Sequence, residues 1–395
     1  MHRYYHGLDA VRFFSACAVC VFHLGFYAWA AEYSSMERVF AQAATFDLLT
    51  PLAWMGWIGV QIFFVISGFV IANSANGATP FGFLRSRLLR LWPAAWICAT
   101  ITLLVRMAWG EDFGSQLDSA WLRSITLWPK GEWIDGVYWS LAIEIVFYGF
   151  VFLLLLTRNF RRLPAMAWVM TLVSAAFITM SWLDRTGLVA HYTWFQSIVE
   201  QSELLPLRHG VYFAVGIWLW MMSNRSIAGA HWLGLGLAVV FGLAEIELRA
   251  MELQLFEASA AAGQWIAAPA IVWLLATGFI ALCTQRPERF VPRTEASRNG
   301  LKLLGKITYP LYLVHSITGA AAMAWMIRSG VPAYLALVLA ILLVLAIATL
   351  VALYGESLAA RPLKAALDAA GKAGAGVKPL GLLFRKSDAI PVKQS

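Results

Sequence analysis

The stretch RFFSACAVCVFHLGF, residues 12 to 26, is apolar almost throughout, yet Arg12 opens it and His23 stands near its end. Such a run reads as part of a helix crossing a bilayer, where a charged or titratable group is costly enough to need a reason. Asp9, Arg12, Ala16, Val19 and His23 recur at spacings of three or four, which places them on one helical face. Arg12 and His23 then point the same way, about 16 Å apart along the axis. The apolar run continues past Trp29 without a clear small-residue cleavage site, so it is read as a first span rather than a secretory signal.

Working outward, similar stretches recur to the end of the chain. Of 395 residues, 60% are hydrophobic and 13% charged, which fits a membrane protein better than several soluble domains. Spans are expected at about 10–31, 54–75, 91–109, 139–157, 165–183, 209–222, 232–246, 264–284, 306–327 and 331–354. Loop charge supports this count. The loops after the second, fourth, sixth and eighth spans are net positive, with Arg85, Arg87, Arg90, Arg158, Arg161, Arg162, Arg225 and the run from Arg286 to Lys302. The intervening loops are net negative, with Glu32, Glu37, Asp112, Asp118, Glu200, Glu252 and Glu257; the short turn at Arg328 is the exception. The excess of basic residues on one side places both termini in the cytoplasm. The fold expected is all-α, a polytopic transmembrane bundle of about ten spans over residues 1–360. A basic cytoplasmic tail, 361–395, follows, with one short surface helix and otherwise flexible.

Composition narrows function as well. The net charge of +8 is scattered through loops and tail, with no zinc-finger spacing and no basic-aromatic stripe, so no nucleic-acid partner is expected. Cys17, Cys20, Cys98 and Cys283 all lie in apolar segments without metal-ligand spacing; no metal and no disulfide framework is expected.

Polar groups inside the spans carry the functional signal. Glu144, in YWSLAIEIVFYGF, lies about 8 Å below the outer rim, and His23 about 12 Å below the same rim. Two titratable groups at like depth are expected to meet, either as an acid-base pair with the carboxylate orienting the imidazole or as a pair that holds helices together. In VQIFFVISGFVI, Ser67 and Gly68 offer close approach to a helix or a ligand. Arg87 and Arg90, a helical turn apart beside Arg85, can grip a polyanion at the cytoplasmic mouth, and Pro93 is expected near the start of the third span. In GKITYPLYLVHSI, Lys306 sits at the edge and His315 about 14 Å in, interleaved with Tyr309, Tyr312 and Ser316, so this helix either lines a polar channel or packs. Glu245, His191 and His209 sit near rims or in loops, where polar placement is cheap, and receive no chemistry.

Taken together these motifs resemble the acyltransferase 3 family of integral membrane acyltransferases. GLDAVRFFSACAVCVFH is similar to its first-helix signature, an arginine followed after ten residues by a histidine, through Arg12 and His23. VQIFFVISGFVI resembles its Phe-Phe…Ser-Gly segment, RSRLLRLWPA its Arg-x-x-Arg element, VYWSLAIEIVFY its Trp-Ser-Leu…Glu…Phe-Tyr segment, and ITYPLYLVH its Tyr-x-Leu-Tyr-x-x-His motif. Ala10 and Phe13 stand where the family often has glycine, and the C-terminal hydrolase-like domain of some members does not appear in this sequence.

The resemblance implies a multi-pass protein of a bacterial cytoplasmic (inner) membrane. It implies transfer of an acyl group, commonly acetyl from acetyl-CoA, to a hydroxyl of an envelope glycan or a glycosylated or lipid-linked acceptor. On that reading Arg12, Arg87, Arg90, Lys306 and His315 bind the donor. His23 is general base with Glu144, and Ser67, Tyr309 or Tyr312 supplies oxyanion donors. Membrane lipids and a homodimer are the further partners considered. The rival class is a proton-coupled transporter of a polar or lipid-linked solute, for which buried His and Glu are equally natural.

Overall fold

The computed structural model describes residues 4–31, 36–41, 43–114, 116–187, 205–253, 267–375 and 380–391, and every regular element among them is helical. Leaving aside the single turns Glu37–Phe40, Pro287–Phe290 and Gly381–Phe384, these are, in chain order, α1 (His6–Ala30), α2 (Thr50–Ala75), α3 (Pro80–Ala108), the short α4 (Leu117–Thr126), α5 (Tyr138–Leu156) and α6 (Phe160–Arg185). Then come α7 (Gly210–Ser223), α8 (Ala230–Leu253), α9 (Ala268–Gln285), α10 (Glu295–Val314), α11 (Ser316–Arg328) and α12 (Ala333–Gly374). Glu32, His191, Glu200 and Glu257 lie outside the described residues.

Seven of these helices are long and apolar enough to cross a bilayer, and the bent pair α10–α11 makes eight. Every span expected from the sequence overlaps a helix among the described residues, but ten full crossings do not follow. Helix α7 has 14 residues, short of a straight crossing, and α8 carries Glu245, Glu247, Arg249 and Glu252 toward its end. Large apolar side chains such as Phe14, Leu104, Leu153, Leu172, Leu275 and Leu342 are exposed around the outside, as a lipid-facing surface requires. The protein is a multi-pass membrane protein.

The short α7 is the middle of the bundle, buried without a break from Gly210 to Met221. Its tightest neighbour is α2, where Gly68 and Gly216 face each other's backbone. A Cβ at Gly68 would overlap the Phe213 carbonyl, and one at Gly216 the Val65 carbonyl. Gly68 therefore serves the close helix approach that its sequence setting suggested.

Helix α3 starts earlier than expected. Thr79 caps it, its side chain accepting from the Gly82 N–H at 3.0 Å, and Pro80 takes the first turn, where a missing N–H costs nothing. Pro93 thus falls inside the helix rather than near its start, and Arg85, Arg87 and Arg90 project from a continuous helix rather than from a loop.

Two irregularities flank the bundle interior. Helix α1 changes to π winding over His23–Tyr27, and the chain bends by 70° between α10 and α11 at His315. The described part of the tail is helical through α12 and then lies along the rim formed by the ends of α2, α3 and α6. Arg85 pairs with Asp368 at 2.7 Å, Asn76 and Ile390 exchange hydrogen bonds at 2.9 and 3.3 Å, and Asp388 accepts from the Phe160 N–H at 2.7 Å.

Candidate active site

Two cavities stand back to back inside the bundle. The first, about 770 Å³ of empty space, opens toward the rim that carries the α3 arginines. Arg12 from α1, Ser67 from α2, Arg87 and Arg90 from α3, Glu144 and Tyr148 from α5, and Tyr309 and Tyr312 from α10 line it. The one-face spacing on α1 and the Arg-x-x-Arg spacing on α3 are what turn these side chains to a common space.

Inside it Glu144 is the hub. It accepts from the Ser67 hydroxyl and from the Tyr148 hydroxyl at 2.6 Å, and Arg87 lies 5.9 Å from the Tyr148 ring centroid. Tyr309 donates to the Leu91 carbonyl at 3.2 Å, tying α10 to α3. Arg12 has Asp9 at 3.7 Å, and Asp9 also accepts from the Tyr4 hydroxyl at 2.5 Å; burial and that carboxylate raise the Tyr4 pKa above the usual tyrosine range. Arg12, Arg87 and Arg90 against Glu144 leave the lining net positive, an environment for an anion.

The second cavity, about 1300 Å³, lies on the opposite side. His23, Tyr27, Trp57, Gln61, Asp135 and Trp139 are among its lining residues, with Arg208, His209 and Arg249 on one wall. Val60 and Tyr312 line both cavities and so form the partition between them; the Tyr312 hydroxyl is tied to that of Ser140 at 2.6 Å.

His23 and Glu144 do not meet: they line different cavities, and the hydrogen-bonding partner His23 finds on another helix is His315. His23 Nδ1 lies 3.0 Å from the Val19 carbonyl and 2.9 Å from His315 Nε2, with the two ring centroids 4.9 Å apart. Depth below a rim fixes one coordinate of a side chain, but the rotation of its helix decides which neighbour it faces. Helix α1 turns Arg12 to the arginine cavity, whereas the π winding that begins at His23 accompanies a different placement for the imidazole. His315 is fully buried and does not line the arginine cavity; its Nδ1 lies 2.9 Å from the Tyr312 carbonyl and 3.1 Å from that of Leu311. Lys306 is exposed and likewise absent from that lining.

Three features escaped the sequence reading. Asp135, 1% exposed, sits before α5 and caps two segments at once, accepting from the Val137 N–H at 3.2 Å and the Ile317 N–H at 3.1 Å. Burial pushes its carboxyl pKa up, and those N–H groups oppose the shift. Glu245, whose position in the sequence suggests a cheap rim site, is fully buried and pairs with Arg208 at 2.6 Å, while Arg208 also grips Glu252 at 3.0 Å. His209 lines the second cavity beside this cluster. Only a helix break after His315 in the sequence would have signalled the first of these, and none is visible there.

Comparison with known proteins follows the same lines. The model of the acyltransferase domain family, acyltransferase 3, matches residues 5–355. BcsY of Komagataeibacter xylinus, whose name describes a membrane-bound transacylase, is 30% identical over 209 residues, 46% of this chain and 50% of that protein. The acyltransferase MdmB of Streptomyces mycarofaciens is 25% identical over 236 residues, 53% of this chain and 58% of that protein. The chain thus spans about half the length of the relatives it matches. No solved structure matches it. With motifs, membrane helices and a family match over nearly the whole bundle in agreement, the chain belongs to the acyltransferase 3 family of membrane acyltransferases.

Proposed function

We propose that the protein moves an acyl group, acetyl in the simplest case, from acyl-CoA in the cytoplasm to a hydroxyl of a glycan or glycosylated acceptor entering from the other side of a bacterial inner membrane. The observation that carries this is the pair of opposed cavities, one lined by Arg12, Arg87 and Arg90 and the other by His23, meeting at Val60 and Tyr312. An arginine-rich mouth suits the phosphates of CoA, and both termini on that side suit the distribution of basic loops. The second cavity mixes aromatic faces, Trp57 and Trp139, with polar groups such as Gln61, which suits a hydroxylated ring.

In this mechanism Arg87 and Arg90 hold the donor phosphates and the acyl-bearing arm reaches the Tyr312 partition. His23 takes the proton of the acceptor hydroxyl as its oxygen bonds to the thioester carbonyl carbon. The C–S bond then breaks, and the thiolate takes the proton from His23. In this scheme the Tyr312 hydroxyl turns from Ser140, its partner at 2.6 Å, and stabilises the oxyanion. Glu144 holds Ser67 and Tyr148 and offsets part of the arginine charge. Direct transfer needs only this one base.

The test is release of free CoA thiol from radiolabelled acetyl-CoA by purified protein given a panel of neutral and acidic glycans. The expected result is acceptor-dependent release that falls about 10²–10⁴-fold in H23A. Normal transfer by H23A would reject the base assignment, and failure to bind acetyl-CoA would reject the donor.

A further inference from the structure

We infer that His315 is a positioning residue that holds His23 as the tautomer with its proton on Nδ1, leaving Nε2 as the basic nitrogen facing the second cavity. The inference rests on the reading of His23 as the base, and it assigns His315 a role other than donor binding.

A backbone carbonyl only accepts, so a ring nitrogen beside one must carry a hydrogen. His315 Nδ1 faces the carbonyls of Tyr312 at 2.9 Å and Leu311 at 3.1 Å, so it is protonated. In the neutral ring the other nitrogen, Nε2, then holds a lone pair. That lone pair lies 2.9 Å from His23 Nδ1, which must be the donor. Independently, His23 Nδ1 also lies 3.0 Å from the Val19 carbonyl, which demands a hydrogen on the same atom.

Two separate contacts therefore give one answer. A proton on His315 Nε2 would instead require a lone pair on His23 Nδ1 and set that lone pair against the Val19 carbonyl; only the neutral arrangement satisfies every contact. His23 Nε2 has no hydrogen-bond partner among the described residues, and His23 lines the second cavity. This is the nitrogen that an acceptor hydroxyl can reach. The polar relay runs from the carbonyls at the α10–α11 bend through His315 to His23, so the bend has a chemical use as well as a geometric one.

The test is 15N NMR of the full chain in lipid nanodiscs with 15N-labelled histidine, His23 being identified by the resonances lost in H23Q. The expected wild-type spectrum shows a protonated Nδ1 and an unprotonated Nε2 at His23. In H315F, which removes the acceptor, His23 is expected to populate both tautomers. In H315Q, whose amide oxygen can accept from Nδ1–H, the wild-type tautomer returns. In parallel, kcat is expected to fall at least about tenfold in H315F and recover in part in H315Q, with KM for acetyl-CoA within about twofold of wild type in both. A protonated Nε2 on His23 in the wild type, or an unchanged tautomer in H315F, would overturn the inference. If the tautomers behave as stated while H23A transfers acyl groups normally, the base assignment fails and the tautomer assignment stands.

Discussion

At Glu144 a single carboxylate holds two hydroxyls, those of Ser67 and Tyr148, within a cavity whose other charges are arginines. Removing it does more than delete one hydrogen bond, because it leaves two hydroxyls without their acceptor and takes the one carboxylate out of the lining of the arginine cavity. E144A is expected to lose about 1–3 kcal/mol of stability, read as a lower melting temperature in detergent, with E144Q losing less. Y148F should cost less than either, since its ring stays under Arg87. Glu144 and Arg12 are legible in the sequence, because an ionisable group in an apolar helix stands out by its cost alone. The sequence does not disclose their partners. Depth matches His23 with Glu144 but says nothing of facing; the neighbour of His23 on another helix is His315, 292 positions along the chain. Glu245 is illegible for the opposite reason, since a place near a helix end is cheap for a carboxylate and gives no sign that Arg208 closes on it.

Among the elements, the α2–α7 contact is the one least able to give. Gly216 meets backbone rather than a flexible side chain, so an added Cβ forces the two helices apart. G216L is expected to destabilise the bundle by about 3 kcal/mol or more and to lower the yield of folded protein in membranes. A second element-level test concerns Asp135, which joins the loop before α5 to the first turn of α11. D135A leaves buried N–H groups unpaired, at a cost of about 1–3 kcal/mol, and frees the helix start next to His315. Transfer should therefore drop further than the melting temperature alone accounts for. Helix positions were legible in the sequence, since apolar length and loop charge mark them. The central place of α7 was not, because a short apolar helix looks the same at the middle of a bundle as at its edge.

For the molecule as a whole, the arginine rim and the tail that lies on it form one surface. R87E combined with R90E is expected to weaken acetyl-CoA binding at least about tenfold, with acceptor binding in the second cavity unchanged; isothermal titration of each ligand checks both arms. D388A removes the acceptor of the Phe160 N–H and should release the tail, read as faster proteolysis near residues 384–391 with little loss of core stability, about 1 kcal/mol. The docking of the tail could not be read beforehand, because a basic Ala/Gly-rich segment carries no pattern that names Asn76 as its partner.

The partition at Val60 and Tyr312 has a consequence for the cell's energy supply. Chemistry that joins two compartments risks giving protons a wet path down the membrane potential. Here an aromatic ring, held by Ser140, stands between the two cavities. A charge that crossed freely would dissipate about 2.3 kcal/mol per 100 mV. On the proposed function, the partition would let an acyl group pass while the bilayer stays electrically tight, and liposomes carrying Y312A should lose an imposed pH gradient faster than those carrying the wild type.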